Sequence, residues 1–196
     1  SKVLRLGINA LVLGHNFLQG LELLQTVKPL IDETFSKWQM TIDTTLLSGL
    51  SLVALYRREA PGTIFFRHPL VSHDLHARAM GKAVLANLPD NRREEVLEKI
   101  VLTAHTPNTI TQREVLQAEL EATRAKGYAV NNEEFFMGLV SIGAPLMNFQ
   151  SGEVIGAVSF DFALGEQTLD GIVRSHSAVL VKMADDLSNI MTIAEN

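Results

Sequence analysis

Apolar positions in the first part of the chain recur with helical spacing. Between residues 8 and 37, apolar side chains return at steps of three and four with one longer gap, which is the pattern of an amphipathic helix. We expect a break near Gly20 and either a kink or a new first turn at Pro29. Because the apolar stripe is wider than one core face requires, the helix is either deeply buried in its own domain or shared with a partner subunit.

Three segments rich in β-forming residues follow this helix. They lie at residues 38–47, 50–58 and 63–68. Ser48-Gly49 and Pro61-Gly62 separate them, and residue pairs of this kind are typical of turns. The three segments predict an antiparallel meander.

Two helical patterns come next, separated by a proline. They lie at residues 76–87 and 90–101. A further helix is predicted to begin at Thr111, since Thr111 and Glu114 have the spacing of a capping box. Gly127 lies where a glycine C-cap is expected, so this helix should end there.

The last part of the chain predicts a hairpin and a helix. Short strands are expected at residues 128–131, 140–149 and 154–162. Ser151-Gly152 would form the turn between the last two. A final helix from about Thr168 carries His176 on its apolar face, where we expect a packed core residue. The whole order predicts an α+β fold, in which helices flank an antiparallel sheet.

Composition narrows the class of protein. The 196 residues suffice for one domain with a short appendage. Cysteine is absent, which excludes a disulfide scaffold and is consistent with a cytoplasmic protein. The net charge is −5, and 17 basic residues are scattered among 22 acidic ones, so this chain by itself is not expected to grip DNA or RNA. No apolar run reaches the roughly 18–20 residues of a membrane span.

Motifs of catalysis and cofactor binding are absent from the sequence. It has no nucleophile elbow, P-loop, dinucleotide-binding glycine pattern or H-E-x-x-H motif, so no cofactor is implied. His68, His73 and His76 lie close together, and the last two have the spacing of metal ligands on a helix. A small metal-dependent enzyme built on this cluster is one alternative; polar residues of a loop and first turn are the other. We expect Glu133 and Glu134 to be solvated.

Small residues crowd the predicted helix that starts near residue 76, namely Ala77, Ala79, Gly81 and Ala83. The first N–H groups of a helix lack intrahelical partners and carry the positive end of its dipole. Small side chains there would let an anion approach these groups. Small residues would equally allow the helix to pack closely on a sheet, and the residues alone favour neither interpretation.

Three separated stretches resemble the effector-binding domain of the IclR family of bacterial regulators. They read LHARAMGKAVLANLP, TPNTITQREVLQAELEATRAKGYAVNNEEFFMGLVSIGAPL and GEVIGAVSF. The earlier segment LRLGINALVLGHNFL resembles the exit from the family's winged-helix domain and its linker helix. The stretches occur in the family's order and span nearly the whole chain, which makes the resemblance far more specific than a single motif.

The resemblance implies a GAF-like sensor without catalytic activity, acting within a repressor or activator of transcription. Residues 1–20 would be the end of the winged-helix domain and the linker helix, and residues 21–196 the effector-binding domain. A winged-helix domain before Ser1 would contact DNA, which explains the acidic charge of this part. The chain would assemble as a homodimer or homotetramer. A small organic acid would be the effector and would alter the oligomer or its affinity for DNA.

The resemblance also implies a ligand site. Its positions are Ala79, Met80, Gly81, Asn131, Ser141, Ser159 and Asp161. In the family, the pocket uses backbone amides at the first three positions and side chains at the others. Ser159 and Asp161 are two apart on a predicted strand, so they face the same side. A pure oligomerisation module with a vestigial pocket is a further alternative.

This sequence departs from the family at several of these positions. Asn131 stands where aspartate is usual, Asp161 where a small neutral residue is usual, and Met80 is bulkier than its counterpart. The Asp161 carboxylate would repel an acid unless a cation or a proton intervened. We therefore expect a hydroxylated acid with its carboxylate at residues 79–81 and its hydroxyls near Asp161. Arg78 could also pair with an acid, although an arginine in a first turn is more often exposed.

Overall fold

A computed structural model describes residues 22–61, 70–165 and 167–194. Within these ranges the helices are α1 (Glu22–Trp38), α2 (Ala79–Asn87), α3 (Asp90–Lys99), α4 (Arg113–Lys126) and α5 (Leu169–Ala194). The strands are β1 (Thr41–Ser48), β2 (Ser51–Arg58), β3 (Val71–Ser72), β4 (Ala129–Asn132), β5 (Leu139–Asn148) and β6 (Glu153–Ala163). The predicted segment 1–20, the break at Gly20 and the strand at 63–68 lie outside the described residues.

The strands form one antiparallel sheet in the order β3-β2-β1-β6-β5-β4. The hairpins β1–β2 and β5–β6 are local, whereas β6 returns across the molecule to pair with β1. The predicted α+β class, a GAF-like antiparallel sheet with flanking helices, is confirmed. None of the helices in the described ranges is both long and apolar enough to cross a membrane.

Helices cover both faces of the sheet. On one face, α1 and α5 bury a core that includes Ile42, Ile142 and Phe160 of the strands. On the other face, α2, α3 and α4 contribute a second core that includes Val84 and Leu116. Side chains alternate along a strand. The chain neighbours of Ile142 and Phe160, at positions 141, 159 and 161, therefore face α2.

Local signals located some helix ends correctly and others not. Gly127 ends α4 in the left-handed conformation with φ of 79°, as predicted. Pro29 lies inside α1 without ending it. The capping box at Thr111 was wrong, because α4 begins at Arg113 and no side chain caps it. The Arg113 guanidinium donates instead to the Leu97 carbonyl of α3, so a tertiary contact holds this first turn.

The histidine on α5 is a packed residue, as expected. His176 is 9% exposed, and its ring centroid lies 5.6 Å from that of Trp38 and 5.0 Å from that of Phe162. Its Nδ1 lies 2.7 Å from the Ser175 hydroxyl. The imidazole therefore joins α1 and β6 to α5 through ring contacts.

Candidate functional site

Polar residues on neighbouring strands line up across the sheet face that α2 covers. In one row Asn131 of β4 lies opposite Ser141 of β5, which lies opposite Asp161 of β6. In the next row Ser159 of β6 lies opposite Asp43 of β1. Since each row is two residues from the other along a strand, both rows face the same side. Four of the predicted site positions, which lie on three different strands, are thus neighbours.

Helix α2 begins directly above these rows because a glycine lets it approach. A Cβ atom at Gly143 would lie 2.7 Å from the Met80 backbone nitrogen, a distance that real side chains do not tolerate. At Gly81, a Cβ would lie 2.1 Å from the Leu75 carbonyl oxygen, inside the short 3-10 turn (Leu75–Ala77) that precedes α2. The small residues therefore serve close packing, and that packing brings the start of the helix to the polar rows.

A cavity lies between the start of α2 and the sheet. Its lining consists of Arg78, Ala79, Met80, Asn131, Phe135, Leu139, Ser141, Ser159 and Asp161. Six of the seven predicted positions are among them, and Gly81 is not. The volume is about 20 Å³, which is room for one water molecule. Any organic molecule must therefore displace part of the lining in order to enter.

Arg78 is part of this lining, and the expectation that it is exposed was wrong. It is 6% exposed, because its backbone is extended and precedes α2 instead of belonging to the first turn. The guanidinium carbon lies 3.5 Å from the centroid of the Phe135 ring. Burial lowers the pKa of Arg78, and the carboxylates of Asp74, Asp161 and Asp43 oppose that shift.

The guanidinium of Arg78 has no polar partner within the described part of the chain. Its Nε is excluded from solvent, and the Nε–H donates no hydrogen bond there. A guanidinium carries five N–H donors in a fixed planar array. Buried donors without acceptors are costly, so the lining holds a cation suited to an incoming anion.

A second arginine accounts for the charge of Asp161. The Arg57 guanidinium lies 2.7 Å from the Asp43 carboxylate and 3.5 Å from that of Asp161. Burial lowers the pKa of Arg57, but the two carboxylates and the hydrogen bond to Glu59 outweigh it, so the pKa is raised. Asp161 also accepts a hydrogen bond from the Ser159 hydroxyl at 3.0 Å. The cation that an acidic residue here requires is therefore present.

Sequence reasoning missed Arg57 and Asp43, although a signal was available. Asp43 and Arg57 lie opposite each other in the β1–β2 hairpin, so opposite charges on paired positions could have been read from its register. Asp43 has no exposed side-chain surface and is the one charged residue of β1, and an aspartate is buried in this way only when it is paired. Sequence reasoning also missed Phe135, because this residue belongs to a loop.

That loop is held at Glu134, the residue before Phe135, by buried polar contacts. The Asn131 side-chain oxygen accepts the Glu134 N–H at 2.8 Å. The Glu134 carboxylate accepts a hydrogen bond from Lys82 of α2 at 2.6 Å, and the Thr109 hydroxyl donates to the Glu134 carbonyl at 2.6 Å. Glu134 is 6% exposed, so its predicted solvation was wrong. These contacts place Phe135 over the cavity.

The histidine cluster does not form a metal site in the described residues. His73 Nδ1 lies 2.8 Å from the Ser51 hydroxyl, whereas His76 Nε2 lies 3.0 Å from the Thr103 carbonyl oxygen. Within the described ranges, no three histidine, cysteine or acidic side chains are grouped to hold a metal ion. His68 lies outside these ranges. Burial lowers the pKa of His76, against the opposing effects of Thr103 and Asp74.

Known proteins are similar to this chain in fold and, to a smaller extent, in sequence. The family model described as "Bacterial transcriptional regulator IclR C-terminal" matches residues 15–189. The transcriptional repressor AllR of Klebsiella pneumoniae is 28% identical over 89% of the chain. The chain spans 64% of AllR, less than two thirds of that relative.

Solved structures superpose closely. The IclR structure of Thermotoga maritima is 28% identical, with a TM-score of 0.85 over 95% of this chain and 75% of its own. The inducer-binding domain of PobR from Acinetobacter, solved as a double mutant in complex with 3-hydroxybenzoic acid, has a TM-score of 0.73 at 23% identity. That alignment covers 85% of this chain and 97% of the PobR domain, and it establishes likeness of fold.

Proposed function

The chain belongs to the IclR family of bacterial transcriptional regulators, and from that premise we propose that it senses a small organic acid for such a regulator. One observation carries the proposal: the cavity joins the start of α2 and a buried arginine to a polar floor. The floor consists of Asn131, Ser141, Ser159 and Asp161. Buried polar groups require partners, and a ligand with both an anionic and a hydroxylated end supplies them. A pure oligomerisation module would not require a buried arginine and four polar residues to line one cavity.

The charges support one orientation of the acid. Its carboxylate lies at residues 79–81, where the helix N-terminus favours an anion. Its hydroxyl groups donate to the carboxylate of Asp161, which Arg57 partly balances at 3.5 Å. Asn131 contributes its amide, which can donate as well as accept. The reverse orientation would bring two carboxylates together.

Binding changes the protein because the cavity has room for only one water molecule. An acid of several carbon atoms must displace the Phe135 ring or the Arg78 side chain. The displaced loop is bonded to α2 through Glu134 and Lys82. An effector that favours the open arrangement of these elements shifts the population towards it. We propose that this shift alters the arrangement of a homodimer or homotetramer, and through a winged-helix domain its affinity for DNA.

The test is thermal unfolding of the 196-residue chain with small carboxylic, sugar and aromatic acids, each with and without a chelator. A ligand at 100 times its Kd stabilises by about 2.7 kcal/mol, which corresponds to an increase in Tm of about 5–10 °C for a chain of this size. Ser159→Ala should reduce the increase, since Ser159 is 1% exposed and lines the cavity. Ser151→Ala is the control, because Ser151 is exposed in the β5–β6 turn.

Three outcomes are informative. An increase in Tm with one class of acid, reduced by Ser159→Ala and kept by Ser151→Ala, supports the proposal. An equal increase in both variants would mean that the acid binds elsewhere. No increase with any acid would refute the proposal, and a large loss of stability on chelation would then indicate a bound metal ion instead.

A further inference from the structure

Two arginines contact the cavity region, and only one of them forms ion pairs with carboxylates in the described residues. Arg57 contacts Asp43 at 2.7 Å and Asp161 at 3.5 Å. Arg78 has neither a hydrogen bond nor an ion pair with the residues that the structure describes, and its contact is the face of the Phe135 ring. A ring face attracts a cation, but it satisfies none of the directional N–H donors.

The two ends of the cavity therefore differ in charge. At the Arg78 end, the guanidinium lies at the start of α2, where the helix dipole also favours an anion. At the Asp161 end, two carboxylates already share one arginine. A single carboxylate on the ligand gains at the first end, whereas a second carboxylate at the other end meets Asp161 and Asp43.

We propose that Arg78 selects the effector: it exchanges its contact with the Phe135 ring for a paired hydrogen bond to a ligand carboxylate, and the effector is a hydroxylated monocarboxylic acid. This inference rests on the function proposed above. A guanidinium matches a carboxylate with two parallel N–H···O bonds, which a lysine ammonium does not reproduce. Loss of the ring contact also frees Phe135, so recognition of the carboxylate and opening of the cavity occur in one step.

Matched pairs of acids provide the probes. Threonate and tartrate share a four-carbon skeleton, as gluconate and glucarate share six carbons, and in each pair the second acid replaces a terminal hydroxymethyl group by a second carboxylate. Gluconamide provides the neutral form of gluconate. Calorimetric titration of the 196-residue chain would give Kd for each. We expect tighter binding of threonate or gluconate than of its dicarboxylate, by about tenfold or more.

Substitutions then isolate Arg78. Arg78→Gln should weaken binding of the preferred monoacid about 10- to 100-fold and remove its preference over the amide. Arg78→Lys should keep that preference with weaker binding, because the charge remains and the paired geometry is lost. Arg124→Gln is the control of equal charge change, since Arg124 lies on α4 and pairs with Asp90 at 2.9 Å. A merely structural role of Arg78 would not alter the ratio of acid to amide affinity.

A spectroscopic measurement covers the case in which Arg78→Gln does not fold. The Nε–H of Arg78 is shielded from solvent, so its NMR signal should be observable and is assigned by its loss in Arg78→Lys. Gluconate should shift this signal and gluconamide should not. A signal that stays fixed while the acid binds would overturn the proposal.

The outcomes separate the two levels of inference. If the wild-type chain binds a monoacid and Arg78→Gln binds it equally well, the role of Arg78 is refuted and the sensor proposal stands. Preference for tartrate or glucarate would refute the monocarboxylate class. If no acid of the wider thermal screen binds, the sensor proposal fails and this inference fails with it.

Discussion

The buried ion pair between Lys82 and Glu134 ties helix α2 to the loop that covers the cavity. Lys82 is 1% exposed, and its Nζ lies 2.6 Å from Glu134 Oε1. Lys82→Met keeps most of the apolar stem but leaves that oxygen with the Asn132 N–H at 3.4 Å. Loss of one partner from a buried ion pair costs about 3–5 kcal/mol. We expect Lys82→Met to lower the free energy of unfolding by this amount.

Glu134→Gln is expected to cost less, and the difference follows from the geometry. In that variant Lys82 still has Glu119, whose carboxylate lies 3.6 Å from Nζ and is 26% exposed. The glutamine amide oxygen can also still accept a hydrogen bond from Lys82. A loss of about 1–3 kcal/mol is therefore expected. The double variant should lose less than the two single losses added, since neither charge is left buried alone.

Urea unfolding followed by circular dichroism at neutral pH measures these values, provided that the slope with urea is unchanged among the variants. Lys182→Met is the control, because Lys182 forms an exposed pair with Asp186. Such pairs contribute between about zero and 1 kcal/mol. If Lys82→Met cost no more than Lys182→Met, or less than Glu134→Gln, the argument from burial would be refuted.

Three further predictions concern packing, capping and pH. Gly143→Ala should destabilise by about 1–3 kcal/mol in urea unfolding, because its Cβ would collide with the backbone of α2; equal stability would contradict the close approach. Thr168→Ala should cost about 1 kcal/mol, since the Thr168 hydroxyl accepts the Gly171 N–H at 3.2 Å, whereas Thr111→Ala should cost under about 0.5 kcal/mol because Thr111 caps nothing. Burial lowers the pKa of His76 below its unfolded value of 6.5. The unfolded state then binds more protons, so the contribution of His76 to the free energy of unfolding is present above about pH 6.5 and is lost as the pH falls. His76→Asn should flatten the decline of that free energy between about pH 7 and 5. His73→Asn is the control and should keep the decline.

The parts of the fold with local signals were predictable. Gly127 must adopt positive φ at the end of α4, and a glycine at that position is itself the signal. The β5–β6 hairpin likewise follows from two β-rich runs around Gly152, which also has positive φ. The chemistry of these residues alone fixes these features, so no tertiary information is required.

The site needed tertiary information that composition does not carry. The burial of Arg78 depends on its extended backbone between the 3-10 turn and α2, and Gly81 allows that turn to pack closely on the helix. The sequence predicted one helix from residue 76, and an arginine in its first turn was expected to be exposed. Glu134 was predicted to be solvated because its partner Lys82 lies 52 positions away in sequence. The family resemblance identified six of the lining positions in advance. Arg57 and Asp43, the charged residues that sequence reasoning missed, were found only from the fold.

The site combines a rigid floor with an incompletely satisfied roof. Strand register fixes Asn131, Ser141 and Asp161 side by side, so the floor cannot adjust without breaking the sheet. The roof consists of Arg78 and Phe135, which contact each other through a ring face that leaves the buried Nε–H of Arg78 without an acceptor. In the proposed mode of binding, a ligand carboxylate reaches the Arg78 guanidinium only after the ring has moved. The binding free energy would then be available to the open arrangement and not to the closed one, which is the differential affinity that a conformational switch requires.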